Sequence, residues 1–265
     1  MIAQVPGRTT DDTPPTRRSV LGVRVDDLTW PEALNAVEEF VATGRPHHIV
    51  TPNPEMVMAA RADPTFRRII DEAALAPCDG VGLKWAAARL GERVREVVPG
   101  SDLVPRMAAP AGERGERWFL LGGADGVADA AAKELSRRAP GLVIAGTHGG
   151  SPDPAFDEDQ CALIEASGPI DVLLVAYGAP AQEKWIARNQ PRLRVPVAMG
   201  VGGTFDFLAG TSRTPPPWVQ SAGLIWLYRL AREPWRWRRQ LALVRFAALV
   251  LSESRRPTAR RWGGA

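Results

Sequence analysis

Three polar side chains stand where short apolar segments give way to Pro, Asn, Asp and Gly. Thr51 and Asn53 follow Ile49 and Val50 in His47-His-Ile-Val-Thr-Pro-Asn-Pro-Glu-Met, and Asp79 follows Ala74 to Ala76 in Leu75-Ala-Pro-Cys-Asp-Gly-Val-Gly-Leu-Lys-Trp. A helical pattern comes after each. Strands deliver polar side chains to the carboxyl edge of a parallel sheet in this manner, and open α/β folds bind ligands there. Hydroxyl and amide groups hydrogen-bond a polar ligand, while a carboxylate takes or gives a proton. Asn-Pro and Asp-Gly also serve as plain cap and turn pairs, which is the competing reading of Asn53 and Asp79.

Two further stretches could add to such a rim. Gly122-Gly-Ala-Asp-Gly lies between an apolar strand and an alanine-rich helix. Backbone N–H groups and a positive helix end suit a diphosphate at Gly122 and Gly123, and tight turn geometry explains the glycines equally well. Gly178-Ala-Pro-Ala-Gln-Glu-Lys-Trp follows the apolar run 171–177, so Pro180 starts a helix whose first turn carries Gln182 and Glu183 beside the same edge. Asp157-Glu-Asp has the Asp-x-Asp spelling of metal-dependent sugar transferases, but acids in a first helical turn complement the helix dipole, and that reading is preferred. His47 and His48 have no third ligand at metal-binding spacing, His148 sits in a loop, and all three are read as structural.

These residues need a scaffold, and the chain alternates strand and helix patterns to provide one. Expected strands fall at 20–25, 49–50, 74–76, 117–121, 142–147, 171–177 and 195–199, with helices between them; Pro110 and Gly112 should shorten the helix that begins near Gly100. The fold class is therefore α/β, a Rossmann-like parallel sheet over residues 20–210, after an amino-terminal segment 1–19 expected to be disordered. With 265 residues, 45% of them hydrophobic and 24% charged, the composition is that of a globular domain carrying an appendage. Two cysteines make no disulfide framework and fit a reducing compartment.

The appendage is residues 211–265. Its eleven arginines face only Glu233 and Glu253, a net +9, so the first 212 residues carry −6 of the overall +3. Tryptophans and arginines lead into the apolar run Leu241 to Leu251, far short of the ~20 residues that span a bilayer. Rings at headgroup depth and guanidinium groups against lipid phosphates suit the surface of the cytoplasmic membrane. The adjoining apolar helix argues against nucleic acid as the partner. Packing of this helix on the domain, or on a second copy in a homo-oligomer, is the structural alternative.

Taken together the motifs resemble the WecG/TagA/CpsF family of bacterial glycosyltransferases. They are Thr51-Pro-Asn-Pro-Glu-Met, Asp79-Gly-Val-Gly-Leu, Gly100-Ser-Asp-Leu-Val-Pro, Phe119-Leu-Leu-Gly-Gly, Gly178-Ala-Pro-Ala-Gln-Glu-Lys-Trp-Ile, Gly200-Val-Gly-Gly-Thr-Phe-Asp-Phe-Leu-Ala-Gly and Trp226-Leu-Tyr-Arg-Leu. The resemblance implies a fold of the type called GT-E with a helical, basic carboxyl-terminal appendage. It implies inverting transfer of N-acetylmannosamine, its uronic acid or glucuronic acid from a UDP-sugar to a polyprenyl-diphosphate glycan, at the inner face of the plasma membrane in cell-envelope or exopolysaccharide assembly. The carboxylate matching Asp79 is the general base, residues matching Thr51, Asn53 and Gln182 line the donor pocket, and Arg229, Arg236 and Arg239 hold the acceptor diphosphate. No cofactor and no metal are implied, since glycine-turn N–H groups and arginines can stabilise the departing diphosphate. Val97 departs from the pattern, standing where the family has arginine, with Arg93 and Arg95 as nearby substitutes; Lys84 occupies a usually aliphatic position. The competing functions are a nucleotide-dependent oxidoreductase, which Gly200-Val-Gly-Gly supports only weakly because it closes a late strand, and a non-catalytic lipid-binding relative.

Overall fold

Apolar runs with almost no polar residue form the centre of a sheet in the computed structural model, which describes residues 15–211 and 237–255. Strands β3 (His47–Ile49), β4 (Arg117–Gly122), β5 (Val143–His148), β6 (Val172–Ala176) and β7 (Val197–Gly200) pair in the order β3-β7-β6-β4-β5, all parallel. β4, β6 and β7 are buried on both faces, as their uninterrupted apolar sequences require in a parallel sheet covered by helices on both sides. From β4 the chain steps outward to β5, then returns past β4 to β6 and on to β7. That reversal puts a topological switch point between β4 and β6, and the carboxyl edge beside such a point is where open α/β sheets bind ligands.

Among the described residues the α-helices are α1 (Trp30–Thr43), α2 (Pro54–Ala62), α3 (Pro64–Glu72), α4 (Val81–Arg89), α5 (Gly100–Glu113), α6 (Val127–Arg138), α7 (Asp157–Ala166), α8 (Ala181–Leu193), α9 (Thr204–Leu208) and α10 (Trp237–Ser254). One face of the sheet packs Leu120, Leu174 and Met199 against α1, α5, α6 and α9; the other packs Leu173, Val175 and Ala198 against α7 and α8. Pro110 and Gly112 do not shorten α5, contrary to expectation. Leu103, Val104, Met107, Ala108 and Ala111 bury one side of it, and the glycine permits close approach: a Cβ there would lie 2.9 Å from the Pro140 carbonyl oxygen.

Two expected strands are corrected. Residues 20–25 do not join the parallel sheet. They sit at a tight turn, Leu21-Gly22, with both φ values positive, between antiparallel strands β1 (Thr16–Val20) and β2 (Val23–Asp27). β1 thus begins inside the segment expected to be disordered, and residues 1–14 lie outside the described residues. Residues 74–76 make only isolated parallel bridges, Ile49 to Leu75 and Asp26 to Pro77. The segment is nonetheless threaded like a strand between β2 and β3, with Ala74 N–H donating to the His48 carbonyl (2.8 Å), Val50 to Leu75 (3.0 Å) and Asp26 to Ala76 (2.7 Å).

Arg24 and Asp26 pin that thread in place. The Arg24 guanidinium meets Asp26 through two 2.8 Å hydrogen bonds and donates to the carbonyls of Asp71 and Ala73, while Asp26 also accepts from the Ala76 N–H at 2.7 Å. Asp26 is only 1% exposed, so each of these bonds compensates a desolvated carboxylate. Asp79 emerges three residues further on.

The α10 helix is not a detached appendage. Phe246 (3% exposed) and Val250 (0%) are buried in a cluster with Met56, Val57 and Ala60 of α2 and Leu83, Ala86 and Ala87 of α4. Their spacing of four residues places them on one helical stripe. Val244, 67% exposed, and Leu251 point elsewhere. Among the described residues no helix is long and apolar enough to cross a membrane.

Candidate active site on the carboxyl edge

Thr51, Asn53 and Asp79 come together at the carboxyl end of β3. The Asp79 N–H donates to the Pro52 carbonyl (2.9 Å), and its Oδ2 accepts from the Gly100 N–H at 3.3 Å. Gly80, at φ 104 and ψ 146, turns the chain sharply from Asp79 into α4, a conformation that suits glycine. Asp79 is half-buried on the rim, neither sealed inside nor on the opposite edge. Thr51 faces the same point: a Cβ on Gly100 would lie 2.9 Å from its Oγ1. Asn53 serves as the cap of α2 through Oδ1, which accepts from the Met56 N–H at 3.0 Å. Capping and a place on the shared rim, posed as alternatives by the sequence, are both true of it.

Cys78 adjoins Asp79 yet cannot act as a nucleophile near neutral pH. Burial, together with the neighbouring Asp79 charge, pushes its thiol up to about 12.

The second half of the rim is built around Gln182. Its Oε1 accepts from the N–H groups of Gly178 (2.9 Å) and Gly202 (3.0 Å), and its Nε2 donates to Glu183 Oε1 at 2.8 Å. One carboxamide thereby ties the β6–α8 loop, which borders the switch point, to the β7–α9 loop beside it. Gly122 and Gly123 sit alongside, and both have positive φ, 103 and 83. A Cβ on Gly122 would strike the Ala176 backbone at 2.8 Å, and the Gly123 N–H donates to the Ala176 carbonyl at 3.1 Å. Close approach of β4 to β6 accounts for both glycines; the Gly123 N–H is committed to that pairing and is not a free donor for a diphosphate.

The halves meet across β7. A Cβ on Gly100 would lie 3.2 Å from the Met199 methyl, and one on the next residue, Gly200, would fall 2.5 Å from Gln182 Nε2 and 2.6 Å from Glu183 Oε1.

Glu183, expected to lie beside this edge, was assigned no role in the site. It is 0% exposed, its Oε2 has no hydrogen-bond partner, and burial pushes its carboxyl up to about 7. The available signal was helical spacing: Glu183 precedes Ile186 by three residues and Gln190 by seven, and both of these lie on the inward stripe of α8.

Other charged candidates have structural tasks. Asp157, Glu158 and Asp159 occupy the first turn of α7, and the first two pair with Arg188 and Arg192 of α8. Arg95 is fixed by Asp27 and Glu32, so it does not stand in for the arginine absent at Val97, and Lys84 donates to the Arg95 carbonyl at 2.6 Å. His47 stacks on Phe40 with ring centres 4.1 Å apart, and burial drives the His48 imidazole down to about 3. Arg229 and Arg236 lie outside the described residues, as does the Trp226-Leu-Tyr-Arg-Leu motif, and Arg239 falls in the first turn of α10. Among the described residues no three His, Cys, Asp or Glu side chains are grouped to hold a metal ion.

An open parallel sheet whose carboxyl rim carries a carboxylate, a hydroxyl and two carboxamides defines a Rossmann-like α/β protein, with a candidate ligand site at that edge. The sequence profile described as "Glycosyl transferase WecG/TagA/CpsF family" matches residues 18–260. The chain belongs to this family of glycosyltransferases. It is similar to enzymes called N-acetylglucosaminyldiphosphoundecaprenol N-acetyl-beta-D-mannosaminyltransferase in three bacteria. The one from Bacillus subtilis (strain 168) is 30% identical over 209 residues, covering 78% of this chain and 80% of the relative. The one from Bacillus spizizenii is 31% identical over 210 residues, 78% and 79% of the two chains. The one from Staphylococcus aureus (strain MRSA252) is 31% identical over 212 residues, 79% and 82%.

Proposed function

We propose that this protein transfers N-acetylmannosamine, or a closely related hexose such as its uronic acid or glucuronic acid, from a UDP-sugar to a GlcNAc-bearing polyprenyl diphosphate with inversion. The observation that carries the reading is Asp79, on the accessible rim beside Thr51 and bonded to Gly100 N–H, in a chain whose relatives bear the name of such a transferase. Asp79 takes the proton of the acceptor hydroxyl as its oxygen attacks the anomeric carbon. The new C–O bond forms on one face of the sugar while the bond to the diphosphate oxygen breaks on the other, and the electron pair leaves with UDP. Thr51 and Asn53 read sugar hydroxyls, and Gln182 sets the loops at the nucleotide end.

Arg229, Arg236 and Arg239 are assigned to the acceptor diphosphate, whose planar oxygen pairs a guanidinium fork matches. The lipid-linked acceptor places the reaction at the inner face of the cytoplasmic membrane. Exposed Val244 and Leu251 on α10, within a segment rich in tryptophan and arginine, give that surface an apolar and cationic contact. No metal or other cofactor enters this scheme.

The test is product analysis with purified polyprenyl-diphosphate GlcNAc and a panel of UDP-sugars. A disaccharide formed with one donor, and absent when acceptor is omitted, supports the reading. Lipid binding without transfer from any donor would favour a non-catalytic relative, a reading to which Val97 and the engaged Arg95 give a specific basis.

A further inference from the structure

We propose that Glu183 is a positioning residue of the sugar-nucleotide site, which orients the Gln182 carboxamide so that a single oxygen fastens the β6–α8 loop, which borders the switch point, to the neighbouring β7–α9 loop. This rests on the function proposed above. A carboxamide has two nearly isosteric orientations, and only its hydrogen-bond partners select one. Here Oε1 faces two N–H donors, Gly178 and Gly202, and Nε2 faces an acceptor, Glu183 Oε1. Rotating the amide by half a turn would set its NH2 group against both N–H groups, losing two bonds, and with Glu183 ionised would set its oxygen against the carboxylate, losing the third. Glu183 is the partner that a side-chain change can remove, because the other two are backbone.

The surroundings are shaped for this pair. Gly200 leaves open the space that the two head groups occupy, since a Cβ there would lie within 2.6 Å of both. A carboxyl at this place is costly: it is fully buried, one of its oxygens lacks a partner, and desolvation raises it to about 7. A leucine would fill the volume without that cost. A residue that destabilises the fold where an apolar one would serve is retained for the geometry it imposes at the site.

Three variants of the full chain test this, each with the melting temperature, the UDP dissociation constant and the KM and kcat for the UDP-sugar. Glu183→Leu keeps volume and removes the acceptor. We expect KM and the UDP dissociation constant to rise about tenfold or more, with kcat changed less than about threefold and the melting temperature undiminished. Glu183→Gln restores an acceptor oxygen and returns KM to within about threefold of the wild type. Gly200→Ala displaces the pair without altering it and should weaken UDP as Glu183→Leu does; if the leucine variant fails to fold, this one decides. Wild-type KM and UDP affinity in Glu183→Leu or in Gly200→Ala overturn the inference alone. A wild-type protein that binds no UDP overturns the proposed function as well.

Discussion

Replacing Glu183 by glutamine should make the protein's stability less dependent on pH, and the size of the change follows from the burial of one carboxyl. Glu183 has no exposed surface, and desolvation raises its pKa from the ordinary 4.5 to about 7. A rise of that size means that ionising the group costs about 3 kcal/mol more in the folded protein than in the unfolded chain. Below the ordinary value both states hold the proton and there is no cost. Between there and neutrality the folded state binds more protons than the unfolded state, so stability falls as pH rises, and above about pH 7 the full cost applies. Glutamine has the same shape and no charge to desolvate. Thermal unfolding of wild type and Glu183→Gln, compared at the same pH so that other titrating groups cancel, should show similar melting temperatures near pH 5. By about pH 8.5 the variant should melt roughly 5–9 °C higher, as about 3 kcal/mol implies for a chain of this size. A difference that stays constant from acid to alkaline pH would refute the claim that Glu183 is buried and mostly protonated below neutrality.

Further perturbations test other contacts. Arg24→Met strands the buried Asp26 carboxylate and should cost about 3–5 kcal/mol in urea unfolding, with Arg24→Met/Asp26→Leu recovering much of it. Phe246→Ala should destabilise by about 3 kcal/mol, because the ring fills the cluster between α2 and α4; a loss below about 0.5 kcal/mol would mean that α10 does not dock there. Gly100→Ala pushes a methyl to within 2.9 Å of Thr51 Oγ1 and should lower kcat/KM about tenfold or more in steady-state assays, with little change in melting temperature.

Much of the rim could be read along the chain, because the signal was local. Thr51 and Asp79 each follow an apolar run and precede a helix, and the carboxyl edge is where such residues emerge. The strand order could not be read in this way. The return of the chain past β4 to β6, which creates the switch point, is a pairing of distant segments. Residues 73–79 show the same limit more sharply. Their extended course depends on Arg24 and Asp26, some fifty residues earlier, and no local pattern marks that pairing. Pro110 and Gly112 misled because their helix-breaking tendency, a few kcal/mol at most, is outweighed by the burial of the α5 core face. Glu183 was legible as a first-turn residue beside the rim but not as a buried one, since a charged residue in a first helical turn is ordinarily solvated and complements the dipole. Its burial comes from β7, where Gly200 makes room.

The catalytic account depends most directly on Asp79. The decisive measurement is the rate of sugar transfer to polyprenyl-diphosphate GlcNAc by Asp79→Asn, with UDP affinity and melting temperature determined on the same preparation. The amide can still accept from the Gly100 N–H but cannot take a proton, so the rate should fall by about 10²–10⁴-fold while UDP affinity and melting temperature remain those of the wild type. Turnover by Asp79→Asn at the wild-type rate would contradict the assignment of the base and, with it, the mechanism built on this rim.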